Sequence, residues 1–402
     1  MAAFLVRRLF QMAVVIFLSS IVSYALLNAA PGGPLTFLRE QQQGGRNRVT
    51  QEDVARVRAR FELDLALPVR FSRWLVGQPR GPIEVGGQQY FADLAVGCRV
   101  PGQVRLRYPD GSTEIIEEGC EIPLTLADLG ADTTRRHSRG ILFGDFGLSQ
   151  TILRDRPVSI LIESRLPYTL SLMGASTLLA IVIGVPIGIY SAVRQYSRFD
   201  YTMTTVAFLG ASLPTFFIGI MGILVFAIGA KEIGLPYLPP GNATAARDYV
   251  VPLIGTVTKG SALDFFLHFL MPCGVLTFTN VAGWSRFVRA SMLDVLNQDY
   301  VRTARAKGVR ERMVVLKHAL RNALIPFITL LAGTLPSLFA GAIVTETVFN
   351  WPGMGRLLID SLGRFDYTVA MSVLYITIVL TMIGYLLSDI LYTVVDPRIR
   401  LT

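Results

Sequence analysis

The sequence predicts an all-α polytopic membrane protein with six transmembrane helices and a small β-containing extracytoplasmic insert. Three observations predict it. Apolar residues make up 51% of the 402-residue chain and charged residues 17%, where a soluble domain carries about a quarter charged residues. The apolar residues are also blocked together. No Asp, Glu, Lys or Arg occurs between Arg8 and Arg39, Arg165 and Arg194, or Asp200 and Lys231. The same holds between Asp264 and Arg286, Arg321 and Glu346, and Asp366 and Asp389. At about 1.5 Å per helical residue each gap suffices to cross roughly 30 Å of hydrocarbon, whereas a soluble helix seldom goes more than two turns without a charge on its wet face. Finally, the loops alternate in basicity. With the N-terminus inside, Arg286–Arg321 is an inside loop with nine Lys and Arg against three Asp and Glu, while the short outside loops balance their charges, which is the positive-inside pattern.

The helices are expected at Leu9–Ala29, Tyr168–Val193, Thr202–Ile228, Phe265–Ser285, Ala323–Val348 and Tyr367–Val395. The first also admits a secretory-signal reading, from Arg7-Arg8, an apolar run and Asn28-Ala29-Ala30; the length of Leu9–Leu27 favours a retained helix. Gly184, Pro186, Gly188, Pro214, Pro272 and Pro336 lie inside the spans, as kinks beside a pathway or as plain packing. This divides the chain into a first transmembrane helix (1–30), an extracytoplasmic segment (31–157) and a five-helix core (158–402) with its cytoplasmic loop at 286–321.

Within 31–157, Glu52-Asp53 opens a helical stretch with Val54, Val57 and Phe61 at helical spacing. A β-rich insert follows at about 77–140. Ile83–Val85, Gly86-Gly87 and Gln88–Phe91 read as one hairpin; Val104–Tyr108, Pro109–Ser112 and Thr113–Glu117 read as a second. Cys98 and Cys120 flank the second hairpin. Paired strands in an oxidising compartment would join them, the alternative being two unpaired thiols. Cys273, inside a span, reads as packing.

Catalytic readings find little support. His137, His268 and His318 are scattered, without metal-ligand spacing, and there is no Gly-x-Ser-x-Gly elbow. Gly255–Ser261 has Ser where a phosphate-binding loop requires Lys after its second Gly. The chain is therefore not expected to be an enzyme or to bind or hydrolyse ATP. The basic balance follows topology, and no nucleic-acid partner is expected. An ion-coupled transporter or channel would show internal repeats or an ionisable residue buried mid-span, and neither is evident. A membrane-embedded hydrolase would need a nucleophile paired with a base inside the spans, and none is paired.

The informative segment is the inside loop. Asp299–Gly308 reads as a short helix with small and basic residues stopped at Gly, and a second helix begins near Glu311 with Met313, Leu316, Leu320 and Ala323 on one stripe. Such a knob either meets a partner protein or attracts anionic lipid headgroups.

This segment resembles the cytoplasmic "EAA" loop of binding-protein-dependent ABC importers, with Ala304 and Gly308 at the characteristic Ala and Gly. Arg289–Met292, Gln298–Gly308 and His318–Pro326 are most similar to the dipeptide/oligopeptide (and nickel) permease subfamily, in which Arg302 and Arg321 are usual departures from the general motif. Pro31-Gly32-Gly33-Pro34 resembles a Pro-Gly-Asp-Pro element with Gly33 replacing Asp. Glu346–Gly355 and Asp396–Arg400 resemble the segment after the fifth helix and the C-terminal tail. The likeness covers nearly the whole chain except the insert.

The resemblance implies a type I ABC importer permease fold in a bacterial or archaeal cytoplasmic membrane, with both termini cytoplasmic. It implies a second, homologous permease subunit forming a heterodimer, two ATPase subunits holding ATP and Mg, and an extracytoplasmic substrate-binding protein. By that likeness the helix ending near Gly308 couples to an ATPase. Ala304 and Gly308 are the expected docking residues, with Arg302, Arg305 and Arg310 either bonding the partner or attracting lipid. Polar groups at membrane depth, namely Thr277, Thr279, Asn280 and Ser337, are candidates for lining the pathway or for helix–helix hydrogen bonds. Glu346 either acts at the outer gate or caps the Trp-Pro-Gly turn after it. The insert is expected to contact the binding protein or cover the pore mouth, or else to be a decoration without transport role. The substrate is a peptide or similar small solute.

Overall fold

The computed structural model describes residues 2–29, 58, 62–77, 81–107, 113–131, 138–340 and 342–395. The expected stretches Pro31–Pro34, Val54–Phe61 (apart from Arg58), Pro109–Ser112 and Asp396–Arg400 lie outside them. Among the described residues, six helices are long and apolar enough to cross a membrane: Phe4–Ala29, Val158–Val193, Thr215–Glu232, Ala262–Leu296, Glu311–Phe339 and Tyr367–Leu391. Side chains such as Val6, Phe10 and Leu26 on the first stay exposed, so that helix needs an apolar surrounding outside the chain.

In chain order the elements are α1 (Ala2–Ala29), α2 (Leu67–Val76), β1 (Ile83–Val85), β2 (Gln88–Tyr90), β3 (Ala95–Arg107), β4 (Thr113–Thr125) and α3 (Leu126–Ala131). Then come α4 (Val158–Val193), α5 (Arg198–Ser212), α6 (Thr215–Glu232), β5 (Tyr249–Val251), β6 (Gly255–Val257) and α7 (Ala262–Leu296). Last are α8 (Asp299–Ala306), α9 (Glu311–Phe339), α10 (Ile343–Val348), α11 (Met354–Gly363) and α12 (Tyr367–Val395). Two compact units result: Met1–Phe17 with Ile160–Ser361 and Val373–Thr402, and Leu18–Ser159 with Leu362–Ser372.

The first unit is helical and α7 is its centre. Val288 and Met292 are fully buried on α7, among Ala180 and Ala192 of α4 and Ala319, Ala323 and Phe327 of α9. Small residues on the flanking helices let the bulky ones of α7 pack closely, as expected of membrane helix pairs. A second cluster surrounds Trp351, whose ring lies 5.8 Å from Tyr168 and 5.7 Å from both Phe265 and Phe269. Arg8 Nε of α1 meets Asp389 Oδ2 of α12 at 2.5 Å.

Several helix boundaries differ from expectation. Both α4 and α7 extend beyond their charge-free runs, because Glu163, Arg165, Arg286, Arg289 and Asp294 continue the helices instead of ending them. Arg286–Leu296 therefore belongs to α7, and the two helices expected in the rest of the inside loop are α8 and the start of α9. The expected third helix is broken between α5 and α6 at Leu213-Pro214, where Pro removes an N–H donor and forces Leu213 to an extended ψ of 134°. The expected fifth helix ends earlier and α10 is a separate short helix. Within α9, Val314–Ala319 forms a wide π-turn, as Ile223–Gly229 does in α6.

The second unit holds the insert. β1 and β2 pair with Val85 opposite Gln88 around Gly86-Gly87. β3 and β4 form a longer hairpin than expected, pairing Ala95 with Thr125 at one end and Arg107 with Thr113 at the other, with several register shifts. These shifts seat Cys98 and Cys120 for a disulfide with a Cα–Cα separation of 5.8 Å. The insert is not self-contained. Leu65, outside it, packs with Val96, Leu124, Leu126 and Leu129, and Ala66 N–H donates to Val96 O at 2.9 Å. Tyr24, Phe71 and Trp74 form an aromatic cluster joining α1 to α2, with centroids 5.4 to 5.8 Å apart. Asp366, fully buried, accepts from the backbone N–H groups of Gln150, Thr151 and Ile152 and from Ser149 Oγ at 2.7 to 3.1 Å. One carboxylate thus fixes the loop at 149–152 against the start of α12.

Candidate functional site

The segment Gln298–Arg310 joins α7 to α9. Gln298 is extended, and α8 runs for two turns from Asp299. Its end is a Schellman closure: Val309 N–H donates to Ala304 O at 3.3 Å and Gly308 N–H to Arg305 O at 2.9 Å. This closure needs a left-handed residue, supplied by Gly308 at φ 74°. Val309 then packs with the buried trio Val301, Ala304 and Val314. Arg305 crosses the turn to the first residue of α9, pairing with Glu311 at 2.8 Å, and the nearby carboxylate raises the Arg305 pKa further. Asn322 Nδ2 donates to Tyr300 Oη at 2.9 Å, a second tie between α8 and α9.

The expected docking residues are therefore split. Arg302, Arg305, Gly308 and Arg310 are exposed. Ala304 is 7% exposed and turned inward. Packed with Val301 and Val314, it seats α8 on α9. The alternation of small and basic residues could not reveal this, since an eight-residue helix has too few turns to define its inner face.

At the same end of the unit, Asp200 of α5 binds Arg289 of α7 through both carboxylate oxygens, at 2.6 and 2.8 Å. It also accepts from Tyr196 N–H at 3.0 Å. The Arg289 guanidinium holds the Asp200 carboxyl below the usual carboxylate range. The sequence alone does not reveal this pair: Asp200 borders a charge-free run, but Arg289 lies three residues beyond the run that ends at Arg286.

The pathway candidates are dispersed. Thr277 is buried and its hydroxyl faces Ser176 O at 3.4 Å, a contact between α7 and α4. Thr279 bonds back to Leu276 O of its own helix at 3.0 Å. Asn280 is half-buried, and Ser337 is exposed with its hydroxyl on Thr334 O at 2.6 Å.

Glu346 is fully buried. It accepts from Thr169 Oγ1 at 2.8 Å and from Arg356 N–H at 3.0 Å, so it caps the N-terminus of α11, where a carboxylate is favoured. A Cβ on Gly353 would run into the Glu346 carboxyl, which explains the glycine in Trp351-Pro352-Gly353. Trp351 closes the turn by donating Nε1–H to Tyr168 O at 3.1 Å. Of the two readings of Glu346, this geometry is that of the cap. Asp264 plays a similar part at the start of α7, accepting from Ala245 N–H, Gly260 N–H and Tyr249 Oη at 2.8 to 3.1 Å. Burial and that bond raise the Tyr249 pKa. Gly255–Val257 is strand β6, paired with β5.

A family described as "Binding-protein-dependent transport system inner membrane component" matches residues 184–401, and its N-terminal counterpart matches residues 1–89. The stretch 90–183, which includes the disulfide hairpin, lies between the two matches. The oligopeptide transport system permease protein AppB of Bacillus subtilis (strain 168) is 43% identical over 257 residues, 64% of this chain and 76% of that protein. The dipeptide transport system permease protein DppB of Escherichia coli (strain K12) is 36% identical over 291 residues, 68% and 84% of the two chains. The glutathione transport system permease protein GsiC of the same strain is 37% identical over 297 residues, 73% and 86%.

Proposed function

Because the chain belongs to the binding-protein-dependent transport system inner membrane component family, we propose that it moves peptides or similar small solutes inward across a cytoplasmic membrane as half of a heterodimeric pore. It is a membrane-spanning permease subunit of an ABC importer, not itself an enzyme, and works with an ATPase and a substrate-binding protein.

The finer assembly is a second homologous permease, two ATPase subunits that hold ATP and Mg, and one binding protein outside. Coupling runs through α8. The observation that carries this is the seating of Val301 and Ala304 on Val314, which makes α8 one body with the base of α9. A thrust on α8 then reaches a spanning helix through these packed side chains, and the exposed guanidiniums of Arg302 and Arg310 offer charge-assisted bonds to acceptors on the ATPase, while Arg305 braces the turn through Glu311. The basic face of α8 and the positive-inside rule support a cytoplasmic location for it. The Arg8–Asp389 pair supports both termini on that same side. The disulfide hairpin fits the oxidising exterior.

Cysteine cross-linking tests the reading. With Arg302→Cys in the assembled complex, cross-links should form to an ATPase subunit and change in yield when ATP is added. Peptides delivered by the binding protein should stimulate ATP hydrolysis. A chain that engages no ATPase, or that transports alone on an ion gradient, rules the proposal out.

A further inference from the structure

Part of the stretch between α1 and α4 is pinned to the edge of the bilayer at two points. Arg8 of α1 and Asp389 of α12 pair at one end of these spans. At about 1.5 Å per residue, Tyr24 lies about 24 Å along α1 from Arg8, and Ser372 about 26 Å along α12 from Asp389. Both fall just inside roughly 30 Å of hydrocarbon. At these depths the spans meet residues of the intervening stretch. The Tyr24 ring meets Phe71 and Trp74 of α2, with centroids 5.4 and 5.7 Å away. Ser372 Oγ donates to Phe146 O at 3.2 Å. Just before Phe146, a tight turn at Ile141–Phe143 is closed by Phe143 N–H on Gly140 O at 3.1 Å and Gly144 N–H on Ile141 O at 3.0 Å. It abuts the end of α2, since a Cβ on Gly140 would run into the Val76 and Gly77 backbone. Ile141 is buried there, yet Leu142 is 53%, Phe143 71% and Val76 52% exposed.

We propose that the turn Ile141–Phe143 and the end of α2 are seated in the lipid leaflet at the Ala29 end of α1, with Leu142, Phe143 and Val76 reaching its upper acyl chains. An open apolar patch marks either a protein or a membrane partner, and depth decides between them here. The patch sits between two spans at the level where interfacial segments sink an apolar face about 5–10 Å. It continues the lipid-facing surface of α1, on which Val22 and Leu26 are exposed. Tyr24 and Trp74 are the amphipathic rings found at that boundary. The exposed Arg139, next to Gly140, can lay its stem on the same patch and reach the headgroups. Leu65 and Ala66, which hold the insert, lead directly into α2, so lipid contact keeps the base of the disulfide hairpin at the membrane surface. The inference rests on α1 and α12 crossing the bilayer and not on the coupling proposed above.

The test uses the assembled complex in phosphatidylcholine nanodiscs, with one bimane label at a time on F143C, V76C, V22C or Q89C. Cys98 and Cys120 are bonded and Cys273 is buried, so the native thiols stay unlabelled. V22C, on the exposed face of α1, reports lipid; Q89C, exposed on β2, reports water. Labels at 143 and 76 should lose emission, as V22C does, to phosphatidylcholine carrying a nitroxide near the headgroup end of an acyl chain. They should keep their emission in iodide. Iodide quenching at both positions equal to that of Q89C overturns the inference. Shielding of both from either quencher also overturns it and assigns the patch to a partner protein. Should F143C fail to assemble, V76C decides by the same readings. Iodide quenching of V22C removes the premise that α1 crosses the bilayer, whereas an R302C chain that cross-links to no ATPase ends only the coupling proposal.

Discussion

Thr169 Oγ1 donates to Glu346 Oε1 at 2.8 Å and accepts from Met354 N–H at the same distance. One hydroxyl of α4 thereby joins the carboxylate that caps α11 to the first residue of that helix, with both partners buried. Thr169→Val keeps the shape and leaves a buried N–H and a carboxylate oxygen each short of a partner, at a cost of about 1–3 kcal/mol. Thermal unfolding of the solubilised complex should show the loss, and an unchanged midpoint would reject the role given to Thr169.

Two glycines should respond differently to alanine. At Gly353 the added Cβ meets the Glu346 carboxyl, which cannot withdraw while it caps α11, so Gly353→Ala should prevent stable assembly. At Gly308 there is open space around the Cβ and only the positive φ to maintain, a cost of about 1–2 kcal/mol. Gly308→Ala should therefore assemble, with impaired coupling read as ATP hydrolysis that no longer tracks uptake.

The Asp200–Arg289 pair predicts an acid dependence with a definite sign. Its folded-state carboxyl titrates below the unfolded one, so its contribution is complete above the usual value near 3.9 and is lost as pH falls through the lower folded value. The stability gap between wild type and Asp200→Asn should be widest at neutral pH and close under acid. A gap independent of pH would exclude an ionised Asp200.

For the extracytoplasmic hairpin, removing the Cys98–Cys120 bond with paired serines releases a loop closed over 22 residues, worth about 3 kcal/mol to the hairpin on chain-entropy grounds. Limited proteolysis should then cut within 95–125 while the spans stay protected. Deleting 77–140 outright should do more, because Leu65 loses the apolar partners that cover it.

Charge-free runs were enough to find the spans, because a charge inside hydrocarbon is costly. They could not find the helix ends. Arg286 and Arg289 mark where lipid stops, while backbone hydrogen bonding carries α7 on to Leu296. Gly308 was legible because a basic helix halted by glycine has one simple closure. The inward turn of Ala304 was not. Nor were Thr169–Glu346, 177 residues apart, and Asp200–Arg289, 89 apart, since a single chain carries no local mark of a pairing that only folding creates.

The wide turn at Val314–Ala319 closes its rings with one residue more than an α-turn uses. The widened turn absorbs that surplus residue, so excising one amino acid there and restoring ordinary winding leaves Ala323 and Phe327 facing α7, whereas excising one from the regular winding that follows rotates everything downstream by about 100°. The wide turn thus keeps the basic end of α9 and its membrane portion in phase despite one surplus peptide unit. Length changes of the same size in the loop between α6 and β5 would leave that phase intact.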